Sequence, residues 1–337
     1  MSEEITLAHG AGGRLMEELI ERVIAANITN KNAGGVGLEA LDDGASLRIG
    51  GSELVIATDA HTVSPLFFPG GDIGKLAVYG TANDVAVMGA RPLAIASALV
   101  IEEGFSRDDL ERVIKSMDAA ARECGVAIIT GDTKVVERGK LDKLVVTTTG
   151  VGIAEKVITD SGIEQGDAII ITGTIGDHGT ALLAYREGFE FETALESDVA
   201  PVWPAVERAL NAGGVKAMKD PTRGGVASAL NEWASKARVG IVIREDELPI
   251  REEVLSACEL LGIDPLSVGN EGKALIAVER ERAEEALKAV RSTEVGKNAA
   301  IIGEVVEEHP GRVVLETAVG GRRILDWPLA DPVPRIC

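Results

Sequence analysis

The sequence predicts an α/β (α+β) protein of two domains, and three observations carry that expectation. Apolar strand-like runs alternate with segments of helical period. The alternation restarts after Gly152 in a chain of 337 residues, long enough for two cores at roughly 100–200 residues per domain. Aromatic residues are only 3 % of the chain, so those cores must be built from Ala, Val, Ile and Leu.

Taken in order, Leu54–Thr58 reads as a strand and Asp72–Met88 as a helix rich in small residues. Leu93–Ile101 is a continuous apolar run typical of a buried strand. A helix opens at Ser106, with Asp109 in the capping-box position and an apolar face of Leu110, Val113, Ile114, Met117, Ala121 and Cys124. Val126–Thr130 and Lys143–Thr149 read as strands, and a domain boundary is expected near Ala154–Gly162. Beyond it come a strand at Ala168–Thr172, a helix at Gly179–Arg186 and a helix at Pro201–Asn211 with proline near its start. A helix at Gly224–Ala237, entered through Thr-Arg-Gly-Gly, precedes a strand at Gly240–Arg244. Helices near Glu252–Leu261 and Ala283–Arg291, a strand at Ala274–Val278 and two short strands complete the pattern. From Trp327 three prolines in eleven residues forbid a helix and favour an extended arm with a reach of about 30 Å.

Composition excludes several classes of function. Thirty-four basic against 54 acidic residues give a net charge of −20, which repels phosphate backbones and anionic lipid. Neither nucleic acid nor a membrane surface is expected as a partner. The longest apolar run is half of what a membrane span needs, and the acidic Met1-Ser2-Glu3-Glu4 lacks the features of a signal peptide. Three cysteines without CxxC spacing agree with a cytoplasmic protein. Cys124 and Cys258 read as core residues, whereas Cys337 is the last residue of the chain.

Standard nucleotide motifs fail. His9-Gly10-Ala11-Gly12-Gly13 lacks the last glycine of GxGxxG, and Gly74-Lys75 is not preceded by a Walker A loop. What remains is a set of aspartates beside small residues: Asp42-Asp43-Gly44-Ala45, Thr58-Asp59, Asn83-Asp84 and Gly131-Asp132-Thr133-Lys134. Each alone reads equally as a turn or a cap. Together their hard oxygens suit Mg²⁺, which shares its shell with nucleotide phosphates. Lys219-Asp220-Pro221-Thr222-Arg223-Gly224-Gly225 precedes a helix and offers either an anion site or an ordinary helix start. Gly269-Asn270-Glu271-Gly272 places a carboxylate in a turn before an apolar strand. Asp177-His178-Gly179 is ambiguous, and His61 and His309 read as structural.

In this order the segments resemble the hydrogenase expression/formation family HypE. That family lies within the superfamily of aminoimidazole-ribonucleotide synthetase, selenophosphate synthetase and thiamine-monophosphate kinase. The match runs from His9–Gly13 and Asp42–Ala45 through Thr81–Ala90, Gly131–Val136, Asp220–Gly225 and Gly269–Gly272 to the terminal Pro334-Arg335-Ile336-Cys337. The middle motifs specify the superfamily, and the terminal tetrapeptide specifies the family. No cysteine precedes position 124, which separates the chain from selenophosphate synthetases.

The resemblance implies a two-domain aminoimidazole-ribonucleotide-synthetase-like fold whose N-terminal domain pairs with its twin into a β-barrel, making a homodimer. It divides the chain into an N-terminal segment with a flexible Gly-rich loop (1–40), an ATP- and Mg-binding dimerisation domain (41–154), a domain closing the cleft (155–326) and a flexible tail (327–337). It implies ATP-dependent dehydration of an S-carbamoyl group on Cys337 to S-cyanate, giving ADP and phosphate. The carbamoyltransferase HypF would load the thiol, and the HypC–HypD complex would receive the cyanide. Catalytic residues implied are Cys337, Lys134 and Glu271. ATP and Mg²⁺ would be bound by His9, Gly10, Gly12, Gly13, Lys75, Asn83, Asp84, Asp132, Thr133, Asp220 and Arg223, with Asp43, Asp59, Asp84 and Asp132 on the metal. Two other readings stay open at this level: a thiol carrier gated by ATP, and a small-molecule kinase of the same superfamily.

Overall fold

The computed structural model describes residues 4–189 and 195–337. The acidic tripeptide Met1-Ser2-Glu3, on which the signal-peptide reading partly rests, lies outside the described residues. A short helix α1 (Gly13–Leu19) leads into the first domain. There the strands β1 (Ala45–Ile49), β2 (Ser52–His61), β5 (Arg91–Glu102), β6 (Ala127–Val136) and β7 (Leu144–Ala154) form one sheet in the order β1-β2-β7-β5-β6. A two-residue ribbon, β3 (Phe67–Phe68) with β4 (Gly71–Asp72), precedes α2 (Ile73–Val87), and α3 (Arg107–Cys124) links β5 to β6. That helical crossover makes β5 and β6 parallel, while every other pairing in this sheet is antiparallel.

The Ser106 half of the expected capping box is present, without the reciprocal Asp109 bond, and α2 has an aspartate cap that the sequence reading did not name. Asp72 accepts from the Gly74 and Lys75 amides, and Ser106 accepts from the Asp109 amide. α2 is buried nearly all round, since only Lys75 and Asp84 retain appreciable exposure. It packs on β2, β7 and α3 on one side and on residues of Trp203–Ala212 and Val215–Lys219 in the second domain on the other. A helix enclosed on every side must be narrow, which explains its Gly, Ala and Thr content. α2 and α3 cover one face of the sheet. The edge strand β6 is exposed along almost its whole length, and Leu93, Ile128, Ile129, Val135 and Ile153 present large apolar side chains to solvent.

The second domain contains β8 (Ala168–Ile171), α4 (Asp177–Glu187), α5 (Trp203–Ala212), β9 (Val215–Lys219), α6 (Gly225–Ala237), β10 (Gly240–Arg244) and α7 (Glu252–Leu261). It continues with β11 (Leu275–Val278), α8 (Ala283–Arg291), β12 (Ala300–Val306), β13 (Arg312–Glu316) and β14 (Arg322–Ile324). Seven strands form a sheet in the order β14-β13-β10-β12-β8-β11-β9. Helices lie on both faces: Ile169 and Ile171 join the core under α6, and Ala168 and Ile170 join the core under α5 and α8. Burial on both faces is why these strands read as unbroken apolar runs rather than as alternating ones. The strands β1 and β9 had no counterpart in the periodicity, because Arg48 in one and Lys216 and Lys219 in the other interrupt their apolar runs. No helix among the described residues is long and apolar enough to cross a membrane.

The tail after β14 contains no helix, as its prolines require, and it returns across the first domain. Val333 and Ile336 are buried in the same core as α2 and α3.

Candidate active site at the domain junction

Side chains from four separate stretches converge where the two domains meet. β2 supplies Asp59, which accepts a hydrogen bond from the Thr81 hydroxyl of α2 at 3.0 Å. One turn further along α2, the half-buried Asp84 faces Asp59. Burial first, then repulsion from Asp59, Asp220 and Asp43, raises its pKa well above the carboxylate range. Asp220, just past β9, is pushed up to about 7 by burial, with Lys219 opposing and Asp59 adding to the shift. Carboxylates that repel one another in a buried cleft need a cation, and they have one internal source.

Lys219 places its ammonium 2.5 Å from Asp43, 3.0 Å from Glu232 and 3.4 Å from Asp160. Burial alone would lower its pKa, but the attraction of Asp160, Asp43 and Glu232 outweighs that, and Lys219 stays charged. Lys236 holds Asp160 at 2.6 Å and Asp42 at 3.2 Å, so two lysines of the second domain clamp the Asp42-Asp43 loop of the first. Asn83 ties the domains from the other side. Its amide donates to the Ala200 and Glu271 carbonyls and accepts from the Val202 amide. A cleft of about 600 Å³ runs between these groups, lined among others by Gly12, Gly13, Asp43, Asp59, Asp84 and Arg223.

Cys337 reaches this junction. Its sulfur accepts a hydrogen bond from Arg223 Nη1 at 3.2 Å. Burial pushes the thiol up to about 12; Arg223 opposes this, while Glu271 and Asp59 add to it. The docked group is therefore a neutral thiol. Glu271 is buried, with its Oε1 unpartnered, and burial together with Asp220 and Asp198 raises its pKa well above the carboxylate range.

The remaining sequence candidates are placed differently. Gly12 and Gly13 have φ near +74° and +72°, and a Cβ on Gly12 would meet the Arg223 carbonyl carbon at 2.7 Å. A Cβ on Gly13 would meet the Pro328 oxygen at 2.2 Å, so this loop packs on the root of the tail and requires glycine. His9 lies nearby in a one-turn helix, where Nδ1 accepts from the Thr6 amide at 3.1 Å, and Gly10 follows it. Lys75 sits nine residues before Asp84 on α2, about 14 Å along the axis.

Asp132, Thr133 and Lys134 are exposed on β6. Register places Asp59, Thr148, Ser97 and Gly131 in one row across four strands, so β6 is about 14 Å from Asp59. Asp132 and Lys134 alternate with Gly131 and face away from α2. Among the described residues no three His, Cys, Asp or Glu side chains form a ready-made metal site. Sequence reasoning passed over Asp160 and Lys236 and gave Lys219 no ion-pair role, because ion pairs between distant segments leave no local pattern.

Comparison with known proteins now bears on this geometry. Residues 41–154 match the family described as AIR synthase related protein, N-terminal domain, and 164–316 match its C-terminal domain. A putative hydrogenase expression/formation protein of Methanocaldococcus jannaschii is 54 % identical over 339 residues, covering 99 % of this chain and 100 % of the relative. Carbamoyl dehydratase HypE of Rhizobium leguminosarum bv. viciae is 48 % identical over 337 residues, covering 99 % and 95 %. The chain belongs to the HypE family. A HypE–HypF complex structure superposes with a TM-score of 0.86 at 46 % identity, covering 92 % of this chain and 99 % of that one. A HypE structure in complex with ATP gives 0.82 at 42 % identity, covering 99 % and 100 %. Both HypE structures share the mixed α/β two-domain architecture, and the docked Cys337 of this HypE-family chain lies at its domain junction.

Proposed function

We infer that this chain is an ATP-dependent carbamoyl dehydratase acting on its own C-terminus in hydrogenase maturation. The observation that carries the reading is the terminal thiol held by Arg223 beside Glu271 in a cleft lined by Asp43, Asp59 and Asp84. Its substrate is the S-carbamoyl form of Cys337, loaded by HypF. A neutral thiol with a pKa near 12 is a weak nucleophile when docked, so loading belongs to the undocked tail and to the partner.

The overall reaction removes the carbamoyl oxygen and both nitrogen-bound hydrogens. The amide oxygen attacks the γ-phosphorus of ATP, the bond to ADP breaks, and phosphate becomes the leaving group. Loss of phosphate with two protons from nitrogen forms the C≡N bond. Arg223 holds the sulfur and orients the thiocarbamate. Glu271 keeps a buried Oε1 without a hydrogen-bond partner and, because its pKa is raised, is a strong base once ionised. Asn83 fixes the Glu271 backbone, and Asp220 lines the tail channel.

Asp43, Asp59 and Asp84 fit Mg²⁺ by their chemistry, as mutually repelling hard oxygens in a cleft. The cation, when bound, would neutralise the phosphate charge. Lys219 would then release Asp43.

Asp132, Thr133 and Lys134 enter this proposal through a homodimer. The exposed apolar edge around β6 suits pairing with a second copy into a barrel, which would set these three residues at the interface. His9, Gly10, Gly12, Gly13, Lys75 and Thr133 are assigned to phosphate contacts in the same proposal. The HypC–HypD complex as acceptor of the cyanide and a cytoplasmic location complete it.

The decisive experiment is intact-protein mass analysis after incubation with HypF, carbamoyl phosphate and ATP. Cys337 should gain a carbamoyl group and then lose one water as this chain turns over ATP. Absence of any adduct on Cys337 with a competent partner would refute the carrier role and return the small-molecule kinase to first place.

A further inference from the structure

The last four residues of the tail are held through their backbone. The Pro334 carbonyl accepts from Arg186 Nη1 at 2.7 Å, and the Arg335 carbonyl accepts from Arg186 Nη2 at 2.6 Å. The Ile336 carbonyl accepts from His178 Nε2 at 2.8 Å, and the Cys337 carboxylate accepts from the Thr62 amide at 3.0 Å. Arg186 also donates through Nε to the Ser64 carbonyl at 2.5 Å, so one guanidinium joins the tail to the strand segment beside it.

His178 is fully buried at the N-terminus of α4 and stands edge-on to Phe68. The Ile336 oxygen can only accept, so Nε2 carries the proton and Nδ1 is left as an acceptor. Ser197 Oγ lies 2.7 Å from Nδ1 and itself accepts from the Val199 amide at 3.1 Å, which leaves its hydroxyl proton for the ring. The pair therefore fixes both the tautomer and the ring direction. No contact in this set uses the Cys337 side chain, so the same grip serves a free, carbamoylated or cyanated sulfur.

We propose that His178, oriented by Ser197, and Arg186 are positioning residues that latch the tail backbone and set where the Cys337 sulfur stands relative to Arg223 and Glu271. The latch rests on Cys337 being the carrier. It acts on the docking equilibrium and on the precision of the thiocarbamate, and it leaves nucleotide binding alone. His178 touches neither the sulfur nor the cleft that Asp59 and Asp84 line.

The test uses the full-length protein. Alkylation by iodoacetamide needs the thiolate, so the docked thiol is protected and labelling follows the undocked fraction. The C-terminal peptide is read by mass spectrometry, apart from Cys124 and Cys258. His178→Ala should label roughly tenfold faster than wild type, the size expected for one buried hydrogen bond. His178→Gln, whose amide nitrogen can replace Nε2, should recover most of the protection.

After loading by HypF, His178→Ala should dehydrate its tail more slowly at saturating ATP, with KM for ATP unchanged and His178→Gln restoring the rate. Labelling of His178→Ala at the wild-type rate, or a Gln variant no better than Ala, would overturn the latch. Arg186→Gln, at a half-buried position, should also label faster, so a misfolded His178 variant still leaves a decisive result. Failure of HypF to load wild-type Cys337 would instead overturn the carrier role, whatever the labelling rates.

Discussion

Replacing Lys219 by Met tests the ion cluster that joins the domains. The ammonium and the Asp43 carboxylate are only 7 % and 14 % exposed, so their pairing is poorly screened. Asp160 keeps Lys236 at 2.6 Å and the Trp233 indole at 2.8 Å after the substitution. Asp43 loses its only ion-pair partner among the described residues and is left buried and uncompensated. Breaking one side of such a pair costs about 3–5 kcal/mol, and Asp160's remaining partners place this case near 3 kcal/mol. Urea unfolding should report that loss.

The double variant Lys219→Met with Asp43→Asn should recover about 2 kcal/mol, because the stranded charge is gone. Lys219 has a pKa raised above the ordinary 10.5, so its contribution is fully present below that value and lost only as pH rises through the folded-state pKa. Burial raises the Asp43 pKa well above the carboxylate range, and losing Lys219 raises it further, so the stranded acid can take a proton and the destabilisation should be smaller at mildly acidic than at mildly alkaline pH. A single variant within 1 kcal/mol of wild type, or strict additivity of the two changes, would refute the reasoning.

Asn83→Ala should cost about 3 kcal/mol, since it strands the Ala200 and Glu271 carbonyls and the Val202 amide. Tail dehydration should fall further than ATP binding does; equal stability by urea titration would contradict the proposed role. Asp331 accepts from the Gly224 and Val333 amides, and burial raises its pKa to about 6. A raised carboxyl pKa penalises the charged form, so docking strengthens as pH falls through 6 towards the free value. Between pH 7.5 and 5 the Cys337 labelling rate of wild type relative to Asp331→Asn should fall about tenfold, and a flat ratio would dismiss the linkage. Ile129→Glu on β6 should give a monomer in sedimentation analysis if that edge pairs two copies, whereas an unchanged dimer would move the interface elsewhere.

Much of the fold was legible because it is written in local signals. The strand Gly240–Arg244 and the helices Glu252–Leu261 and Ala283–Arg291 follow from period and punctuation with the observed boundaries. Ser106 announces its helix because a cap is a contact between near neighbours. The small-residue composition of α2 was legible, but its enclosure on every side emerged only from the packing. β6 and β7 extend further than their apolar runs, to Val136 and Ala154, because ladder hydrogen bonds hold Gly, Asp and Thr in strand geometry once a neighbour is present.

The sequence by itself determined the elements, the family motifs and the thiol at the end of an arm that proline keeps from being helical. Which motifs meet was decided by tertiary structure. Asp59, Asp84, Asp220 and Cys337 converge because β2, α2, β9 and the tail end at one junction. Lys134 stands apart in the same chain because strand order puts β6 three strands away and the pleat turns its face outward. Lys219 and His178 each gained one partner, Asp43 and Ile336, from a segment more than a hundred residues distant. Such pairings are set by how layers pack and by strand register, both non-local properties that no window of sequence contains.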